Sequence, residues 1–259
     1  MTCPVLNEKN RKAAEQKPPF VAHVGYANLG MPNRSSNNVR PTDRPSIVRA
    51  VGDLCLKGKD IVALNETCWA PGLVSGPLEW MNSDFTIYHS VGPIPYNATI
   101  AFHINTTDGR ISSSVDITSV ITTAITADLE RDVRTEGVSG RTRSRDPAAR
   151  MRCALVSVSP DRRFVFATYH CPRSTSEIQC SLLRRVCAAL RGFSAANEHL
   201  PCVLCGDFNM KRRDVTAPGV SDGWQSWNRN VHDIDHVLSP LNPKPQPPNP
   251  KPYTLNPKP

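Results

Sequence analysis

At 259 residues the chain can bury a sizeable core in one large domain or two small ones. Its formal charge of +8 favours a polyanionic partner, while 39% hydrophobic content and 24 prolines imply that part of the chain is not packed. No apolar run approaches the length of a bilayer span, and residues 1–19 hold no apolar signal core, so the sequence excludes a spanning helix and argues against export.

In chain order, residues 1–19 read as a disordered leader. Residues 20–26 alternate loosely and end at Ala27-Asn28-Leu29-Gly30, a strand breaking into a turn. Residues 46–57 place Ile47, Val48, Val51, Leu54 and Cys55 on one helical face, and Gly58 ends that helix. The apolar run at 60–64 completes a strand–helix–strand unit. Residues 85–89, 98–104 and 115–125 are β-rich, with Asp108-Gly109 as a turn.

Residues 128–152 hold seven arginines and few apolar side chains. They read as a basic loop, either solvated or laid over a phosphate backbone. Residues 154–159 and 164–169 flank Pro160-Asp161-Arg162-Arg163 as a hairpin. A helix is expected over 174–196: Ser174 and Glu177 have capping-box spacing, and Ile178, Leu182, Val186 and Leu190 form an apolar stripe. It runs into a strand at 202–206. Cys202-Val203-Leu204-Cys205 has zinc-like spacing, yet its apolar middle reads as core strand. The nine cysteines, an odd number set largely in strand and helix patterns, fit buried thiols of a reducing, nuclear or cytoplasmic compartment. Residues 239–259 are a low-complexity tail: from 240 to 259 nine of 20 residues are proline, and Leu-Asn-Pro-Lys-Pro occurs at both 241–245 and 255–259.

Several apolar strands deliver a polar side chain at or just past their ends. Glu66 follows one, His170 another, and Asp207 and Asn209 a third; Asp235 lies in a fourth and Asn28 ends the first. Phosphodiester hydrolysis needs this set. A carboxylate holds a hard cation, amides and imidazole hold the phosphate, and a second carboxylate orients or deprotonates water. Helices alternating with strands, together with hairpins, predict an α/β protein of packed mixed sheets with helices outside.

In that order the motifs resemble the endonuclease/exonuclease/phosphatase superfamily. Gly206-Asp207-Phe208-Asn209 matches its most diagnostic tetrapeptide. Ala27-Asn28-Leu29-Gly30 is similar to its first motif, Leu64-Asn65-Glu66-Thr67 to its Leu-Gln-Glu-Thr, Thr168-Tyr169-His170 to its Asn-Thr-His, and Ile234-Asp235-His236-Val237-Leu238 to its Ile-Asp-Tyr-Ile-Leu. The resemblance covers residues 20–238, the expected domain. It implies a four-layer α/β sandwich of two packed mixed β-sheets flanked by helices. It also implies Mg²⁺, with Mn²⁺ as a substitute, held by Glu66, Asn28 and Asp207. Asn28, His170 and Asn209 would bind the phosphate. His170, Asp207, Asn209 and Asp235 would be catalytic, with Asp235 orienting a second histidine.

The family's terminal Ser-Asp-His is expected to be absent together with the last strand, since Asp235-His236 sits in the context of the earlier strand and prolines follow. The tail reads as the translation of a CCCTAAA-type telomeric repeat that has replaced the family's C-terminus. The implied function is Mg²⁺-dependent hydrolysis of DNA or RNA, impaired by that loss. Two alternatives stand beside it: hydrolysis of a lipid or small phosphate ester, and an inactive relic that binds nucleic acid.

Overall fold

The computed structural model describes residues 22–28, 59–65, 85–89, 101–105, 109–136, 150–159, 162–227 and 235–240. Its elements are β1 (Val24–Asn28), β2 (Ile61–Asn65), β3 (Phe85–His89), β4 (Ala101–Asn105), β5 (Ser113–Asp116), α1 (Thr118–Glu136), β6 (Met151–Ser159), β7 (Arg162–Tyr169), α2 (Ser176–Ala196), β8 (Cys202–Asp207), α3 (Arg212–Val215), β9 (Trp224–Ser226) and β10 (Asp235–Pro240). The strands form a four-stranded sheet, β1-β2-β4-β3, and a six-stranded sheet, β5-β6-β7-β8-β10-β9. Each mixes parallel and antiparallel pairs: β1 with β2 and β7 with β8 are parallel, the rest antiparallel.

Side-chain alternation along the larger sheet divides the core in two. Val165, Ala167 and Tyr169 of β7, with Cys202 and Leu204 of β8 and Leu238 of β10, join Ile117, Ile121 and Ile125 of α1 and Leu183, Val186 and Leu190 of α2. Phe166 and Cys205 face the other way and pack with Ile61 and Ala63 of β2 and Ile104 of β4. Helices therefore cover one face of the larger sheet and the smaller sheet covers the other, giving an α/β sandwich. The helix expected over 46–57 lies outside the described residues, as do the leader and the tail beyond 240.

The same alternation decides the cysteine motif. Cys202 and Cys205, three apart on a strand, lie in opposite core layers and cannot share an ion.

The strands expected from apolar runs at 60–64, 85–89, 154–159, 164–169 and 202–206 all form. The expectation of β structure through residue 125 is corrected: β5 ends at Asp116, and Asp116 Oδ1 accepts the Thr118 N–H at 2.8 Å as α1 begins. Ile and Thr there raise strand propensity, but Ile117, Ile121 and Ile125 recur every four residues and bury one helical face. The Thr122 hydroxyl donates to the Thr118 carbonyl at 2.9 Å, and the Thr118 hydroxyl accepts the Cys153 N–H at 2.9 Å, so the helix meets no unsatisfied buried hydroxyl there.

The basic loop over 128–152 is likewise corrected at both ends. α1 continues to Glu136 and β6 starts at Met151, while 137–149 lie outside the described residues. At the second helix, Thr175 rather than Ser174 is the N-cap, without a side-chain cap bond, and its carbonyl accepts the Gln179 N–H at 3.0 Å. Three of the four residues in the predicted stripe of α2 are buried, while Ile178 is only partly so. Leu182, Val186 and Leu190 are buried, each contributing roughly 1.5–3 kcal/mol.

At Gly206 the backbone of Tyr169 stands close against β8. A Cβ there would stand 1.8 Å from the Tyr169 carbonyl oxygen, a backbone atom that cannot rotate away. Gly206→Ala should therefore cost at least about 3 kcal/mol or abolish folding. Gly192, inside α2 with nothing near its Cβ position, should instead gain about 0.5–1 kcal/mol as alanine. Thermal denaturation of the two variants checks this: a Gly206→Ala protein melting with the wild type contradicts the packing described.

Candidate active site

Strand ends converge at one edge of the sandwich. Parallel pairing sets Thr168 of β7 beside Cys205 of β8, so His170 and Asp207, two residues further on, leave the larger sheet side by side. Antiparallel pairing sets Asp235, the first residue of β10, opposite Asp207. In the smaller sheet the last residues of β1 and β2, Asn28 and Asn65, pair with one another. Both β1 and β2 lie against β8.

A buried polar chain joins the sheets at this level. The Thr168 hydroxyl donates to Asn65 Oδ1 at 3.4 Å, and Asn65 Nδ2 donates to the Tyr26 hydroxyl at 3.1 Å. Asn65 and Thr168 are fully buried, and losing either partner strands a polar group inside, so the pair fixes how the sheets sit on one another. Asn65 immediately precedes Glu66, the expected principal metal ligand, which lies outside the described residues. Of Asn28 and Asp235 the structure gives the strand positions stated above.

Asp207 is 1% exposed. Its Oδ1 accepts the Asn209 N–H at 2.8 Å, an Asx-type turn that carries the chain off the strand. That turn puts Asn209 at φ 51, a left-handed conformation that asparagine tolerates. Asn209 Nδ2 then donates to the Cys171 carbonyl at 2.7 Å, and Arg173 Nε donates to Asn209 Oδ1 at 3.2 Å. Gln179 of α2 donates to the Asn209 carbonyl at 3.2 Å and to the Pro172 carbonyl at 3.3 Å. The Cys171 N–H bonds the Asp207 carbonyl at 2.8 Å. The loops after β7 and β8 are thus tied into one unit.

His170 Nε2 lies 4.0 Å from Asp207 Oδ2, beyond hydrogen-bond length. Burial chiefly, then the positive charges of Arg150 and Arg173, lower its pKa from 6.5 to about 4. The imidazole is therefore neutral near pH 7 and can donate a hydrogen bond to an anion. Beside it stand a buried carboxylate and an exposed guanidinium.

The structure brings His170, Asp207 and Asn209 together, and places the strand positions of Asn28 and Asp235 at the same edge. Among the described residues no three of His, Cys, Asp and Glu form a metal-binding group. Two contributors were not foreseen from the sequence. Arg173 had no signal beyond its charge. Asn65 did have one, a polar residue closing an apolar strand.

The profile of the Endonuclease/Exonuclease/phosphatase family matches residues 27–248. No curated protein sequence matches the chain. Among solved structures, D. rerio TDP2 complexed with a single-strand DNA product is 15% identical, with TM-score 0.53, over 85% of this chain and 83% of its own. An endonuclease/exonuclease/phosphatase family protein from Bacteroides thetaiotaomicron is 14% identical, with TM-score 0.54, over 85% and 82%. ANGEL2, a 2′,3′-cyclic phosphatase, in complex with adenosine-2′,3′-vanadate, is 11% identical, with TM-score 0.55, over 84% and 83%. Likeness at these identities carries the fold.

The depressed histidine makes stability depend on pH. The unfolded chain protonates His170 near 6.5 and the folded chain only near 4, so between those values the unfolded state binds more protons. That contribution is fully present above 6.5 and is lost as pH falls to about 4. Denaturant titrations at pH 7 and pH 4.5 should differ by roughly 2–3 kcal/mol more for the wild type than for His170→Gln. Equal differences would place the imidazole in solvent.

Proposed function

The chain belongs to the endonuclease/exonuclease/phosphatase family, and from that premise we propose that it hydrolyses phosphodiester bonds of DNA or RNA with a divalent cation, Mg²⁺ or Mn²⁺. The observation that carries this reading is the meeting of His170, Asp207 and Asn209 on adjoining strand ends, with the imidazole held neutral. The charge of +8 favours a polynucleotide over a small ester. On this fold TDP2 is found with a single-strand DNA product, and ANGEL2 with adenosine-2′,3′-vanadate, in which vanadate stands in for a nucleotide's phosphate.

The donor set suits a hard cation: Asp207 is a buried carboxylate, and carboxylate and amide are the oxygen donors that the family resemblance assigns to Glu66 and Asn28. Glu66, Asn28 and Asp207 would hold the ion, which when bound supplies charge neutralisation at the phosphate. Asp207 has Oδ1 engaged by the Asn209 N–H, and its carboxylate takes a proton from the water that attacks phosphorus as the P–O bond to the leaving oxygen breaks, then passes that proton to the leaving oxygen. His170 donates a hydrogen bond to the phosphoryl oxygen as negative charge develops there, through the one N–H that a neutral imidazole keeps. Asn209 holds the same phosphate, and its backbone is already fixed by Gln179. Asp235, opposite Asp207 in the strand register, would orient a second histidine, the role the family resemblance gives it.

No helix among the described residues is long and apolar enough to cross a membrane. We place the protein in a reducing compartment, nuclear or cytoplasmic. Burial pushes the Cys187 thiol up to about 12 and that of Cys202 to about 11, so both stay protonated and inert.

Plasmid DNA, single-stranded RNA and bis-p-nitrophenyl phosphate, each with Mg²⁺ or with EDTA, test the reading. Cleavage of a polynucleotide is expected in Mg²⁺ and absent in EDTA. Asp207→Asn should lower kcat/KM by at least about a hundredfold with little change in melting temperature. Turnover of the small diester alone would move the substrate class to small esters, and nucleic-acid binding without turnover would make the chain an inactive binder.

A further inference from the structure

Trp227 is 59% exposed, although its backbone and ring are both anchored. Its N–H bonds the Val237 carbonyl at 2.8 Å, and its ring nitrogen donates to Ser239 Oγ at 2.8 Å. An apolar ring held open to water by two hydrogen bonds is not a residue that failed to pack. Both polar hydrogens are spent on β10, which leaves the π face as what it can offer a ligand.

Strand alternation fixes which side of the sheet that face belongs to. On β9, Trp224 packs into the helix-side core, and so does its near neighbour on β10, Leu238. Val237, whose carbonyl holds Trp227, packs into the inter-sheet layer with Cys205. Trp227, three residues after Trp224, therefore shares the side of Val237 and Cys205. Asp207, two residues beyond Cys205, is on that side too. The smaller sheet lies against β8 in the interior of the larger sheet, whereas β9 is its edge strand. Strand spacing and rise put Trp227 roughly 12 Å from Asp207, two strands across and two residues back.

We infer that Trp227 is a stacking platform for a nucleobase whose neighbouring phosphate sits at Asp207, Asn209 and His170. This rests on the phosphodiesterase reading of the site and names its substrate as a nucleotide chain rather than a lipid or sugar phosphate. A span of that length is bridged by a nucleotide and its neighbour, while a simple phosphate ester would leave the ring unused. Exposed Arg173, bonded to Asn209, and exposed Lys211, two residues after it, supply cationic contacts for the adjoining backbone.

Binding of labelled oligothymidylate in EDTA, to the full chain and to Trp227→Ala and Trp227→Phe, tests this without requiring turnover. Because the ring is exposed, both variants should melt with the wild type. Trp227→Ala is expected to weaken binding about tenfold and Trp227→Phe no more than about threefold. A same-length oligomer of abasic sugar-phosphate should bind all three proteins alike. Equal affinity of Trp227→Ala and wild type for oligothymidylate overturns the inference, and so does an equal loss on the abasic strand. Stronger Trp227-dependent binding to anionic phospholipid vesicles than to the oligomer overturns it in favour of a membrane surface. If the protein shows this ring dependence and hydrolyses nothing, the stacking platform stands and the hydrolytic reading fails. If it hydrolyses DNA and binding ignores Trp227, the reverse holds.

Discussion

The carbonyl of Tyr169 lies where the side chain of residue 206 would otherwise begin, and the candidate site depends on that contact. Parallel strands already run side by side. The glycine lets their last residues stay close, so the loops leaving β7 and β8 can share hydrogen bonds. Cys171 then bonds the Asp207 carbonyl, and Asn209 bonds the carbonyl of Cys171. With any larger residue the strands would splay at their ends, and His170 would part from Asp207. The glycine that opens Gly206-Asp207-Phe208-Asn209 is thus as much a part of the site as the carboxylate after it.

Within the larger sheet this contact sets distances along one layer, and the bond between Thr168 and Asn65 sets the second layer against the first. A purely apolar interface between two sheets would tolerate small slides, since hydrophobic contact has little direction. A buried amide bonded on both sides does not, because sliding exposes its unsatisfied groups to an apolar interior. Polar groups at this depth are costly in isolation and specific when paired. Along the sequence the pair sits one residue before Glu66 and two before His170, so it fixes the relative height of the two sheets where these strands end.

Much of this was legible in the sequence because it is local. Val203-Leu204-Cys205 and Ile61-Val62-Ala63-Leu64 are apolar runs that only a two-sided core accommodates, and the stripe of α2 has a helical period. Residues 115–125 misled for a physical reason: isoleucine and threonine favour strands by propensity, but tertiary burial at every fourth residue overrode it. What stayed hidden is non-local. Thr168 and Asn65 are separated by 103 residues. Nothing near Trp227 tells that its ring is held on the open side of an edge strand. Trp224, three residues earlier, is buried, and spacing alone cannot say which of the two faces water.

Charge ties the local and the distant together. Arg150 and Arg173 arrive from the start of β6 and from the loop after β7, and both disfavour a proton on His170. The same positive potential favours an anion beside the imidazole. A histidine beside a carboxylate would ordinarily be pulled toward its charged form, and a charged imidazole would compete with a metal ion for Asp207. With two guanidiniums and near-complete burial opposing the proton, the imidazole stays neutral. The two guanidiniums that make this edge of the sandwich positive are therefore also what helps hold its histidine neutral.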